Sequence, residues 1–253
     1  MSFNKYLNEI LEQFLLKPAE IISDEQLTHC IDLTLLNQNT SKEPLIALND
    51  LANAHQVAAV CVFPENLMYF KLKDHIKLAT VVNFPQGNDE IATCLAQIKY
   101  AMHFGIQEID YVVPYSLYLE GNKHQALQHT KHIVQYCKEH KLVSKVILET
   151  GAFSQLELLY ELASELIELD VDFLKTSTGK TTQGASLTAV FSLLSAIKNS
   201  GKKVGIKISG GVKTPSQAKA YAHLSQLLLN RELNNHWFRI GASSLLEELL
   251  KTN

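Results

Sequence analysis

Two lysines interrupt runs that otherwise read as buried β-strand: Lys175 in F-L-K-T-S-T and Lys207 in G-I-K-I-S-G-G. Period-two alternation turns each lysine to one face of its strand and gives Leu174, Thr176, Ile206 and Ile208 the other. Strands of a parallel sheet covered on both faces are almost wholly apolar, so a charge inside one calls for a reason. Asp32, Asp110 and Glu149 raise the same question, each lying in the middle or toward the carboxyl end of an apolar run. If the lysines converge on one cavity, ammonium groups about 5 Å apart repel by roughly 3 kcal/mol at an effective dielectric near 20, worth about two pKa units. Desolvation acts in the same direction, which leaves an amine that is substantially neutral near neutral pH. Such an amine attacks a carbonyl to give a Schiff base, and the iminium withdraws electrons so that a neighbouring carbon can lose or gain a bond. Asp110, on another strand, is the natural proton shuttle. The alternative use of the same charges is a buried ion pair of either lysine with Asp110 or Glu149.

A second constellation suits an anion. G-G-V-K at Gly210 to Lys213 and G-A-S-S at Gly241 to Ser244 follow the last two apolar runs, the place where barrel proteins commonly hold phosphate. Ser243 and Ser244 open the helical stretch S-S-L-L-E-E-L-L, so unpaired backbone N–H groups and two hydroxyls face an anion there. Gly210, Gly211 and Gly241 let the backbone approach it closely. Turn glycines and an N-cap serine would account for either motif alone. Thr178-Gly179-Lys180-Thr181 superficially matches the end of a nucleotide-binding loop, but that loop needs a glycine where Leu174 stands inside a strand. Lys180 reads better as a cation near a substrate's phosphate or hydroxyls.

The elements that must position these groups alternate between short β-rich runs and longer helical stretches. Strands are predicted at Cys30 to Leu36, Val57 to Phe63, Leu78 to Phe84, Glu108 to Val113, Lys145 to Thr150, Phe173 to Ser177, Val204 to Ser209 and Phe238 to Ala242. Helices include Asp89 to Phe104, Lys123 to His140, Ser154 to Leu169, Ser186 to Asn199 and Thr214 to Leu229. Eight βα units without a Pro-rich or Ser-rich linker predict a (β/α)8 TIM barrel as a single domain over 1–253. An open doubly wound sheet competes, yet no G-x-G-x-x-G follows the first strand. The stretch 1–28 is expected to be a helical extension that covers the barrel's lower mouth, with Met1 to Leu16 amphipathic.

Bulk properties narrow the function. Over 253 residues, 46% hydrophobic and 19% charged, the chain can bury a core and keep a solvated surface. A net charge of -3 spread along the chain gives no basic stripe, so no nucleic-acid partner is expected. No signal peptide and no membrane span are expected either. Cys30, Cys61, Cys94 and Cys137 lack paired spacing and are expected as reduced, mostly buried thiols. His129 and His132 would share a helix face, but neighbouring lysines argue for a solvated surface rather than a metal site.

Motifs in order along the chain resemble the deoxyribose-phosphate aldolase family of class I aldolases. They are D-L-T-L-L-N at Asp32, V-C-V-F-P at Val60, N-F-P-Q-G-N at Asn83, E-I-D-Y-V-V-P at Glu108, L-E-T-G at Leu148, F-L-K-T-S-T-G-K at Phe173, K-I-S-G-G-V at Lys207 and G-A-S-S-L-L at Gly241. The resemblance implies reversible cleavage of 2-deoxy-D-ribose 5-phosphate to D-glyceraldehyde 3-phosphate and acetaldehyde, without metal or organic cofactor. It assigns the Schiff base to Lys175, the pKa-lowering cation to Lys207 and acid/base work through water to Asp110. Asp32 and Thr34 would support the proton and hydroxyl network, while Gly179, Lys180, Gly210, Gly211, Gly241, Ser243 and Ser244 would hold the phosphate. It also implies a cytoplasmic salvage enzyme, monomer or homodimer, whose partners are the phosphorylated sugar and acetaldehyde. Two departures stand out. Relatives that end in a flexible tail with a terminal tyrosine differ from the ending Lys251-Thr252-Asn253, and Ile208 stands where relatives often carry Pro or a small residue. A transaldolase-like barrel and a catalytically silent sugar-phosphate binder are the competing readings.

Overall fold

The computed structural model describes residues 3–16 and 22–251. Eight parallel strands close into one barrel in chain order, β8 pairing back to β1. They are β1 Ile31–Leu35, β2 Ala59–Val62, β3 Lys77–Val82, β4 Glu108–Val112, β5 Val143–Ile147, β6 Phe173–Lys175, β7 Gly205–Ser209 and β8 Phe238–Ala242. Each predicted strand overlaps an observed one, as expected where valine, isoleucine and alanine runs are buried on both faces.

The helices that cover the barrel are α3 Lys42–Ala54, α4 Ile91–Met102, α5 Tyr115–Leu119, α6 Lys123–Glu139, α7 Leu156–Glu168, α8 Leu187–Ser200, α9 Pro215–Leu229 and α10 Leu245–Leu250, preceded by α1 Phe3–Leu16 and α2 Asp24–Thr28. Between β2 and β3 the crossover is only a 3-10 turn, Pro64–Tyr69. Local sequence fixes the helix starts that matter for the site. Ser186 caps α8 by accepting from the Ala189 N–H. Thr214 and Gln217 form a reciprocal capping box, with Pro215 at the first turn of α9, so the chain leaving β7 enters its helix in one defined direction.

Two expectations are corrected. The amino-terminal helix does not sit over the lower mouth: α1 packs on the outer helices, Tyr6 against Phe191 of α8 at 5.5 Å between rings and Phe14 against His223 of α9 at 5.1 Å. Residues 1–2 and 17–21 of the predicted extension lie outside the described residues. His129 is not on a solvated surface either. It is half-buried, with Nδ1 2.7 Å from the Tyr111 hydroxyl and Nε2 2.9 Å from the Asp89 carbonyl, while His132 is exposed. The cysteines are free and buried. No helix among the described residues is long and apolar enough to cross a membrane.

Candidate active site

Strand pairing brings the charges together before any long-range packing is considered. Lys175 and Lys207 are register partners on β6 and β7, and Asp110 and Lys145 are partners on β4 and β5. Partners in a parallel ladder point to the same face, here the barrel interior. Lys175 Nζ donates to Asp110 Oδ2 at 2.6 Å, and Lys207 Nζ donates to the same oxygen at 2.7 Å. Lys207 Nζ is also 2.6 Å from Asp32 Oδ2. The predicted convergence is therefore present, and so is the alternative ion pair, with Asp110 for both lysines and Asp32 for Lys207, and not with Glu149. Gly241 makes room for it: a Cβ there would sit 3.0 Å from Lys207 Cε.

Three charged residues of this cluster escaped the sequence reading: Glu108, Lys145 and Arg239. Lys145 Nζ lies 2.6 Å from Glu108 Oε2, 2.9 Å from Asp110 Oδ1 and 3.3 Å from Asp32 Oδ2. Arg239 spans Asp32 at 2.7 Å and Glu108 at 3.1 Å. The signal that finds them is the one that found Lys175, a charge within a doubly covered strand. Glu108 opens β4, Arg239 is the second residue of β8, and Lys145, which opens the predicted strand, is the middle residue of β5.

The surroundings separate the lysines. Burial pulls Lys175 down from the ordinary lysine value; Asp110 opposes this and the Lys207 charge adds to it. Burial acts on Lys207 too, but Asp110 and Asp32 together outweigh it and hold Lys207 above the ordinary value. Of the two lysines only Lys175 is therefore lowered, and desolvation rather than repulsion leads that shift. Lys145 is held well above the usual range, burial being overcome by Asp110, Glu108 and Asp32. Against burial, Lys145, Lys175 and Lys207 keep the Asp110 carboxyl well below the usual carboxylate range. Asp110 is consequently a fixed anion and a weak base. Burial pushes the Cys61 thiol up to about 11, leaving it uncharged beside Asp110 Oδ2, 3.9 Å away.

Above this cluster, at the carboxyl ends of the strands, opens a cavity of about 260 Å³ with Lys175 in its lining. Its wall comes from Thr34 near the end of β1, the loop after β6 with Thr178, Gly179 and Lys180, the end of β7 and the loop after it from Ser209 to Lys213, and the end of β8 and the turn after it from Gly241 to Ser244. Lysines 175, 180 and 213 line it, and no carboxylate side chain does, so its field favours an anion. Gly210 and Gly211 both have φ 89°, a left-handed conformation that glycine adopts without a Cβ penalty. Every predicted phosphate residue lines this cavity, whereas Asp32 is fully buried in the ionic cluster beneath it. Thr34 donates to the Asp32 carbonyl at 2.9 Å.

Glu149 departs from its predicted place inside a strand. It follows β5 with φ 52°, a strained conformation for a side-chain-bearing residue. Its carboxylate accepts from the Thr178 N–H at 3.2 Å, from the Thr178 hydroxyl and from the Thr181 hydroxyl at 3.2 Å. The residue clamps the loop that carries Lys180, whose Nζ donates to the Leu36 carbonyl.

A family model described as DeoC/LacD family aldolase matches residues 27–246. This chain belongs to that family. Solved structures with the same fold include a Coccidioides immitis protein provisionally assigned as a deoxyribose-phosphate aldolase, at 20% identity and TM-score 0.80, covering 100% of this chain and 98% of that one. The deoxyribose phosphate aldolase of Aeropyrum pernix, described as tetrameric, matches at 25% identity and TM-score 0.76, covering 97% of each chain. A Toxoplasma gondii protein with the same provisional assignment matches at 21% identity and TM-score 0.81 over 90% of this chain and 95% of that one. Membership of the DeoC/LacD family makes the chain an aldolase by fold and lineage, and the cluster around Lys175 is where that family's barrel meets an open cavity here.

Proposed function

We propose that the protein is a class I aldolase that cleaves 2-deoxy-D-ribose 5-phosphate reversibly to D-glyceraldehyde 3-phosphate and acetaldehyde through a Schiff base on Lys175. One observation carries this reading: a buried lysine held below its ordinary pKa reaches a cavity lined by three lysines and no carboxylate. A phosphorylated aldehyde fits both halves of that description.

The neutral Lys175 amine attacks the C1 aldehyde, and loss of water leaves an iminium beside the Asp110 carboxylate, which stabilises the new positive charge. The C3 hydroxyl then gives up its proton to a water molecule, the C2–C3 bond breaks, and its electron pair moves into the iminium as an enamine. D-Glyceraldehyde 3-phosphate departs; protonation of the enamine at C2 and hydrolysis release acetaldehyde and restore the amine. Lys207 keeps Asp110 ionised and adds a positive charge near Lys175. Backbone N–H groups around Gly210 and Gly211, with Lys180 and Lys213, are suited to the phosphate. Because the imine itself is the electron sink, the proposed chemistry calls for no metal or organic cofactor, and a cytoplasmic catabolic role would suit it.

The test is a retro-aldol assay on 2-deoxy-D-ribose 5-phosphate, paired with borohydride reduction in the presence of acetaldehyde. The expected result is turnover and an ethyl adduct on Lys175. A Lys175→Arg protein that still turns over would falsify the assignment. Activity on other phosphorylated sugars but not on this one would redirect it to a transaldolase-like reaction.

A further inference from the structure

We infer that Lys145 and Glu108, which lie outside the cavity, are positioning residues that set how readily Lys175 loses its proton through a chain of buried ion pairs. The inference rests on the Schiff-base reading of Lys175. The chain is continuous. Lys175 binds Asp110 Oδ2, Lys145 binds Asp110 Oδ1 at 2.9 Å and Glu108 Oε2 at 2.6 Å, and Arg239 links Glu108 to Asp32. These six groups, and Lys207 beside them, are all buried.

Charge counting gives the argument its direction. Asp32, Glu108 and Asp110 are three anions; Lys145, Lys207, Arg239 and Lys175 are four cations. With Lys175 neutral the cluster balances. With Lys175 protonated it holds one uncompensated positive charge away from water, which is costly. The pairing decides which cation yields: Lys145 has three carboxylates within 4.0 Å, Lys207 and Arg239 have two each, and Lys175 has Asp110 alone. The remaining buried carboxylate, Glu149, is taken by Thr178 and Thr181. Titratable groups facing Lys175 are Asp110 from β4, Lys207 from β7 and the uncharged Cys61 thiol from β2; Lys145 stands across Asp110, and Lys180 and Lys213 are on the cavity wall. The low pKa direction at Lys175 agrees with this count.

Neutralising Lys145 removes a positive charge and lets the cluster balance with Lys175 protonated. Neutralising Glu108 removes a negative charge and does the reverse. The two changes must therefore act in opposite directions, which loss of packing alone does not predict. A double change restores the balance.

The experiment measures the rate at which acetaldehyde with cyanoborohydride ethylates Lys175 across a pH series, by intact mass and peptide mapping, on the full chain. Lys145→Met is expected to move the midpoint up by about one to two pH units, the effect of a charge roughly 6 Å away at an effective dielectric near 20. Glu108→Gln should move it down by about half a unit to one unit, and the double variant should return it to within about half a unit of wild type. Midpoints that stay put, or that move together, overturn the inference. If Lys145→Met does not fold, Glu108→Gln and the charge-balanced double variant carry the test: a Glu108→Gln midpoint at or above wild type, or a displaced double variant, refutes it. Wild type that is never ethylated at Lys175 instead refutes the Schiff-base reading.

Discussion

Replacing Asp110 with Asn tests the ionic cluster at its centre. The carboxylate receives three ammonium groups, Lys145 at 2.9 Å, Lys175 at 2.6 Å and Lys207 at 2.7 Å. Asn has the same shape but no charge, and its amide nitrogen opposes one of those donors. Lys145 keeps Glu108 and Asp32, and Lys207 keeps Asp32. Lys175 keeps no carboxylate among the described residues. Removing one partner of a buried pair costs about 3–5 kcal/mol, and the deficit is expected in that range near pH 7 in urea unfolding followed by circular dichroism. The sign of its pH dependence follows from Lys175. Its folded pKa is already below the unfolded value of about 10.4 and falls further without Asp110. A base with a depressed folded pKa destabilises the protein most below that pKa, and the penalty disappears as pH rises to the unfolded value. The stability gap between variant and wild type should therefore narrow as pH rises from the Lys175 midpoint of the variant to that of the wild type. Ethylation of Lys175 should persist, with its midpoint shifted toward acid, while turnover drops because the iminium has lost its counter-ion. A variant within about 1 kcal/mol of wild type near pH 7, or a gap that widens with pH, would refute the reasoning.

Two further outcomes concern the cavity wall. Glu149→Ala removes three bonds to the loop carrying Lys180 and should raise KM for the phosphorylated sugar about tenfold, the loss of one charged hydrogen bond's worth of positioning, with a smaller change in kcat. Steady-state kinetics checks it, and an unchanged KM would show that the loop needs no clamp. Gly184→Ala drives a Cβ into the Gly210 carbonyl and should cost about 1–3 kcal/mol in unfolding free energy while raising KM; full stability with wild-type KM would contradict the close packing of these loops.

Much of this arrangement was legible because a closed parallel barrel tolerates so few charges. The run Phe238 to Ala242 matches β8 residue for residue, and the predicted helix Thr214 to Leu229 matches α9 except that Thr214 is its cap. Strand ends were less legible where side chains compete with the ladder. β6 stops at Lys175 because Thr176 and Thr178 next bind the Ser209 carbonyl and Glu149. Glu149 reads as strand in L-E-T-G, yet its backbone is left-handed and its carboxylate is bonded to Thr178 and Thr181 of the next loop. The placement of α1 depends on which outer helices expose apolar area, a tertiary property that its amphipathic pattern does not encode.

The larger omission was vertical. Period-two alternation applies to Glu108 as much as to Asp110: they are two residues apart on β4, so both side chains enter the barrel, one a layer below the other. A carboxylate in the lower layer then demands a cation, and Lys145 and Arg239 supply it from β5 and β8. At the carboxyl ends Lys175 and Lys207 are equivalent charges, and a pair of lysines alone does not decide which of the two is lowered. The layer beneath can: Lys207 is anchored to Asp32 as well as Asp110, Lys175 is not, and the difference of one carboxylate selects the amine that reaches the cavity.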